Sequence, residues 1–240
     1  MLTGTRYYLM IICGILLLAA ARGFGQDNLS GRIERLQQEM ISMRQEKVHL
    51  IAPSSFEKAE KLLQTARREL NQGGNINDIR KKIDETAAYL QTANRIAGRG
   101  KVAFSAVLKA REDALTAQAP EYAGETFSRA EDLFLKGSGA LEQDDMKSAQ
   151  NLAAESEQLY RQAELQAIRQ NVMAQTSALL DEADKSKAKK YAPLTLQQAR
   201  LLAGEALENL NSDRYNQTLA QETAAEAAYQ ALHAIFLGNF

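Results

Sequence analysis

All three prolines of this 240-residue chain stand in Ala-Pro pairs: Ala52-Pro53, Ala119-Pro120 and Ala192-Pro193. Proline has a fixed φ and no N–H, so it suits the first turn of a helix and punctuates the chain just before one. Each pair is followed by an apolar stripe stepping by 3 and 4 residues. The first is Phe56, Ala59, Leu63, Ala66 and Leu70. The second is Phe127, Ala130, Phe134, Gly137 and Leu141, and the third is Leu196, Ala199, Ala203, Ala206 and Leu210. The stripes are one helical unit (the A helix) written three times, which restricts the fold to helical repeats.

A second stripe follows each A helix. In the first copy it is Ile76, Ile79, Ile83, Thr86, Leu90, Ala93 and Ala97. In the second it is Met146, Ala149, Ala153, Ser156, Tyr160, Ala163 and Ala167, and in the third Ala220, Ala224, Ala227, Ala231 and Ala234. These are the B helices. Asn71-Gln72-Gly73-Gly74 and Asn211-Ser212-Asp213 read as A-to-B turns, and the second copy turns near Asp144-Asp145. Asn77 or Asp78, and Ser212 or Asp213, are the expected N-caps. A third helical stretch precedes each Ala-Pro, over 28–50, 101–118 and 168–190. Neither Gly nor Pro interrupts Asp144 to Tyr191, so B and the following stretch are expected to form one rod. At the equivalent place in the first copy Gly98-Arg99-Gly100 predicts a kink or break.

Alanine fills 39 positions, and alanine at seam positions lets helix axes approach closely. Gly137 stands where the other copies have Ala66 and Ala206, so close approach is its expected role despite about 1 kcal/mol of lost helix propensity. The fold class that follows is all-α. It is an elongated antiparallel bundle of three roughly 70-residue repeats with long shared helices and a spectrin-like topology. The units are shorter than spectrin's and lack its signature, and the Trp-Leu-Gly-Tyr pattern of tetratricopeptide repeats is absent. The expected boundaries are 26–118 for the first unit, 119–190 for the second and 191–240 for the C-terminal hairpin. Thin seams predict no large pocket.

Residues 1–25 read as an export signal. Arg6 supplies the basic start, and Tyr7 to Ala21 is uncharged and mostly apolar, which is short for a bilayer span of roughly 20 residues. Small residues permit cleavage after Ala21 or, preferably, after Gly25, before Gln26. The alternative is an uncleaved inner-membrane anchor. The single cysteine, Cys13, follows Ile11 and Ile12, which does not fit lipidation, and cleavage would remove it. The chain stands at −1 and the segment takes Arg6 and Arg22 with it, so the mature charge is −3. That balance gives no electrostatic case for nucleic acid.

No residue set points to catalysis, a cofactor or a metal. His49 and His233 are the only histidines, and neither belongs to a recognisable catalytic or zinc motif. His49 reads as a cation at a helix end. Asn211, Asp213 and Glu222 share the spacing of a calcium loop, but Tyr215 and Asn216 occupy a ligand place and the glycine place. Lys185, Lys187, Lys189 and Lys190 could touch anionic lipid, polymer or a partner, although cations also suit the end of a long helix. Tyr160 and Tyr229 are expected on or beside the seams.

The pattern AP-x-x-F-x-x-A-x-x-x-L, a turn and an Ala-rich B helix resembles a bacterial envelope family of unknown-function domains built from short Ala-rich hairpins. The third copy carries it best, through Tyr191-Ala192-Pro193, Leu196, Ala199, Ala206 and Leu207, then Ala220, Ala224, Ala227 and Ala231. Members are often lipoproteins, and some are fused to an outer-membrane-protein-A-like domain that holds peptidoglycan. This chain is expected to depart on both counts. The resemblance implies an envelope location near peptidoglycan or membrane. The expected function is therefore a non-enzymatic periplasmic spacer or scaffold that binds envelope proteins or itself. The alternative is a chaperone gripping clients between helical arms. Met40, Met43, Leu165, Val172 and Met173 discriminate between them: exposure favours clients, burial a spacer.

Overall fold

The computed structural model describes residues 28–239. The N-terminal segment, Cys13 and both cleavage sites lie outside them. The described residues are helices and turns, without a strand. Helix α1 covers 28–45, and α2 is the short Val48–Ile51. Pro53–Asn71 is α3 and Ile76–Thr116 is α4. Ala119–Tyr122 is α5, Gly124–Glu142 is α6 and Met146–Lys185 is α7. Ala188–Tyr191 is α8, Pro193–Ser212 is α9 and Thr218–Gly238 is α10.

The periodicity maps onto burial with few departures. All fifteen residues of the three A stripes are buried, Gly137 among them. So are the B stripes, apart from the half-buried Ile76 and Met146 at their starts. These seams consist largely of alanine, so each position removes little apolar area. Many positions over long helices supply the total.

The long helices are α4, with 41 residues, and α7, with 40. At 1.5 Å per residue each is about 60 Å long. The expected rod after Asp144 is present but stops at Lys185. There the Ser186 hydroxyl accepts the Ala188 N–H at 3.0 Å and starts α8. The expected break at Gly98-Arg99-Gly100 is absent, because α4 runs through it. Gly98 is exposed and meets nothing. Gly100 is buried, and a Cβ there would stand 2.3 Å from Leu141 Cδ2 and 3.1 Å from Ile51 Cγ2. Gly100 makes room for a neighbour instead of breaking the helix.

Two of the three Ala-Pro pairs stand where expected. Pro53 and Pro193 open α3 and α9, each after a four-residue helix. Pro120 lies one turn earlier, inside α5, and α6 opens at Gly124. The common feature is the alanine before the helix. Ala52, Ala123 and Ala192 have φ/ψ of −127/62, −141/38 and −136/48, and each donates its N–H to the carbonyl four residues back.

The first two A-to-B turns are also alike. Gly73 (φ 70) and Asp144 (φ 68) take the left-handed conformation that closes a helix. The residues after them donate to Glu69 O at 2.8 Å and Ala140 O at 2.9 Å. The N-caps differ from those expected. Asn75, not Asn77 or Asp78, accepts from the N–H groups of Asn77 and Asp78, and Asp145 accepts from Ser148. In the third copy Asp213 accepts from Tyr215 and Asn216, which shapes the turn. Helix α10 begins later, after Gln217.

Packing divides the chain into two compact units, residues up to 104 with 135–150, and 105–134 with 151–240. Within the first, Ser138 Oγ donates to Leu50 O at 2.9 Å and Glu142 accepts the N–H groups of Ser54 and Ser55. Within the second, Ser156 Oγ donates to Ala130 O and Thr176 Oγ1 to Ala224 O, each at 2.7 Å. Buried hydroxyls thus find carbonyls on facing helices, which removes the cost of burying them.

Candidate functional sites

The densest polar grouping lies in the second unit and was not expected from the sequence. Glu164, on α7, is 2% exposed. It accepts from Arg161 Nη1 at 3.2 Å and Arg214 Nη1 at 3.4 Å. Arg161 Nη1 also donates to Asp113 Oδ2 at 2.7 Å and to the Tyr215 hydroxyl at 3.1 Å, while Arg214 Nη1 donates to Arg161 O at 2.8 Å. Lys109 Nζ completes the group at 2.6 Å from Asp113 Oδ1. Burial pushes the Asp113 carboxyl up, but the hydrogen bonds from Lys109 and Arg161 outweigh it and hold the group below its ordinary range.

A cavity of about 220 Å³ opens beside this network, lined by Asp113, Thr116, Glu164, Asn171, Tyr215 and Gln217 among others. Its charges are already matched, because both carboxylates are paired with cations. The arrangement fastens the 213–217 turn to α4 and α7, and it presents no nucleophile next to a base. Nothing in the sequence signals it. Glu164 follows the seam residue Ala163, while its partner Arg214 and the network's other carboxylate, Asp113, lie about fifty residues away in either direction.

A second network joins α4, α6 and α7. Arg111 Nε and Nη2 grip the Glu131 carboxylate at 2.6 and 3.3 Å, and the Tyr160 hydroxyl donates to the same carboxylate at 2.6 Å. Burial, then the hydrogen bond to Glu131 and its charge, pushes the Tyr160 phenol far above its usual value, so it remains a donor. Its ring meets Phe127 edge-on at 5.4 Å. Tyr160 is a seam residue as expected. Tyr229 is not: it is exposed on α10, with its ring 6.1 Å from that of His233. His49 is half-buried against Phe56 at 5.8 Å. Asn211 accepts from Arg169. Among the described residues no group of three or more His, Cys, Asp and Glu could hold a metal. No described helix is long and apolar enough to cross a membrane.

The five discriminating apolar residues are all sheltered to some degree. Met40, Met43 and Met173 are buried, and Leu165 and Val172 are half-buried. A groove of about 280 Å³ in the first unit does reach Met40, together with Ile33, Ile41, Leu63 and Arg44. Exposed apolar side chains concentrate instead on α9 and α10, as Leu194, Leu201, Leu219, Tyr229, Leu232 and Phe236. The lysine cluster adjoins them. Lys185, Lys187, Lys189 and Lys190 are exposed around α8, Lys189 reaches Asp184 at 3.2 Å, and Lys190 Nζ lies 4.9 Å from the Tyr191 ring centre.

No family model matches the chain, and comparisons with curated proteins and with solved structures also return no match.

Proposed function

We propose that this chain is a non-enzymatic, exported helical-repeat protein of the bacterial cell envelope that serves as a spacer or scaffold. In this reading the three roughly 70-residue copies are successive units with a spectrin-like topology, joined by the long shared helices. The matching backbone at Ala52, Ala123 and Ala192 supports the repeat. The observation that carries the spacer reading is the burial of Met40, Met43 and Met173. A client-gripping arm needs accessible, adaptable apolar side chains, and methionine supplies them best when exposed. Here those methionines are buried, Met40 at the wall of the groove in the first unit. The charged networks brace the helices, with each of their carboxylates paired to a cation. The Ala-rich hairpin pattern and the apolar N-terminal segment support the envelope location.

The exposed residues of α9 and α10 are what a chaperone reading would use. An aggregation assay separates the two. The spacer reading expects no suppression when an unfolded exported protein is diluted into an equimolar amount of the chain. Suppression that disappears on replacing Leu201, Tyr229 and Leu232 by serine would establish client holding instead.

A further inference from the structure

One end of the second unit combines a cluster of lysines with several exposed apolar side chains. Helices α9 and α10 pair antiparallel, with Leu196 clustered beside Ala234 and Ile235, and Ala203 beside Ala227. The level of Gly204 on α9 is therefore that of Glu226 on α10. On the side of that level toward the Asp213 turn stand Glu205, Glu208, Asp213, Glu222 and Glu226. On the other side there is no acidic residue, either from Lys185 to Gly204 or from Ala227 to Asn239. The chain as a whole nearly balances its charges, with 29 basic and 30 acidic side chains. At this end Lys185, Lys187, Lys189, Lys190 and Arg200 face only the carboxylates at the end of α7. Of these, Asp184 already holds Lys189 and Arg200. Lys185 and Lys187 have no ion pair among the described residues, and Lys190 lies against its neighbour Tyr191.

Cations at helix C-termini would account for the lysines alone. They do not account for the apolar side chains displayed with them. Leu194 is 79% exposed, Phe236 57% and Tyr191 54%. These residues share an end. The Ala188 backbone lies within 3.0 Å of where a Gly238 Cβ would stand, so the close of α10 rests on the start of α8, and Pro193 opens α9 directly after it. The tip is formed by helix ends and a tight turn, and none of its residues lines either cavity described above.

We infer that this tip docks on the surface of an anionic phospholipid bilayer. The lysines would meet phosphates while Leu194, Phe236 and the Tyr191 ring enter the interfacial layer. Charge complementarity favours this occupant, because Lys185, Lys187 and Lys190 stand exposed at the tip without an ion pair among the described residues. An exposed cluster of aliphatic, aromatic and lysine side chains also suits a fluid surface that deforms around it. The inference rests on the tip alone and not on the spacer reading.

The test uses the full chain with Cys13→Ser and one environment-sensitive fluorophore, placed at Leu194→Cys or Phe236→Cys. Leu219→Cys, at the other end of α10, is the control. Vesicles of phosphatidylcholine alone are compared with vesicles containing equal parts phosphatidylcholine and phosphatidylglycerol, and the probe at 219 together with the lysine variants separates docking of the tip from any binding through residues 1–25, which carry Arg6 and Arg22. The inference expects blue-shifted, brighter emission at 194 and 236 with the anionic vesicles only, and none at 219. Replacing Lys185, Lys187 and Lys190 by glutamine should raise the lipid needed by on the order of a hundredfold. No change at 194 and 236, an equal change in neutral vesicles, or indifference to the lysines would overturn it. The same shift produced by unlabelled chain without lipid would also overturn it, in favour of self-association.

Discussion

At the scale of single residues, two glycines two positions apart in α4 have opposite roles. Gly98 meets nothing, so Gly98→Ala should stabilise by about 0.5–1 kcal/mol through helix propensity. Gly100→Ala places a methyl against the buried Leu141 and should destabilise by about 1–3 kcal/mol. Thermal denaturation of the two variants checks both signs, and equal shifts would refute the packing at Gly100. Asp113 gives a prediction in pH. Its pKa lies below the ordinary 3.8 in the folded chain, so its pairing stabilises the fold above that value. The stabilisation is lost as pH falls through the depressed pKa. Asp113→Asn should therefore melt lower than the parent at neutral pH, and the gap should close in strong acid. A gap independent of pH would mean that Lys109 and Arg161 do not stabilise the carboxylate.

At the scale of elements, the seams were legible because burial on a helix repeats every three to four residues and the chain obeys that spacing closely. Register was also legible: the second and third stripes fall 71 and 69 residues after the preceding ones. What escaped was whatever depends on a neighbour. A Gly-Arg-Gly triplet reads as a break, yet Gly100 answers to Leu141, some forty residues away. Pro120 looked equivalent to Pro53 and Pro193, whereas the position that corresponds in the fold is Gly124. That equivalence is testable. Ala123 already has the backbone that Ala52 and Ala192 adopt before proline, and a Cβ at Gly124 would meet nothing. Gly124→Pro should raise stability by about 0.4–1 kcal/mol by restricting the unfolded chain. A loss of similar or larger size in chemical denaturation would refute the common junction. The Glu164 network was illegible for a related reason, since its members come from three separate stretches with no periodic signal.

At the scale of the whole molecule, each unit combines thin alanine seams with a small number of specific polar ties. In the second unit, Tyr160 and Arg111 on Glu131, and Arg161 and Arg214 on Glu164, join segments distant in sequence, and each carboxylate is paired with a cation. Such ties hold helix surfaces at fixed places, which is the basis of the proposed scaffold role. The most direct measurement is covalent cross-linking in the intact envelope, followed by purification and mass spectrometry. It would also show whether the mature chain starts at Gln26. The account predicts one or two partners, or the chain itself, recovered in fixed proportion. A broad mixture of exported proteins would contradict it and make the protein a chaperone.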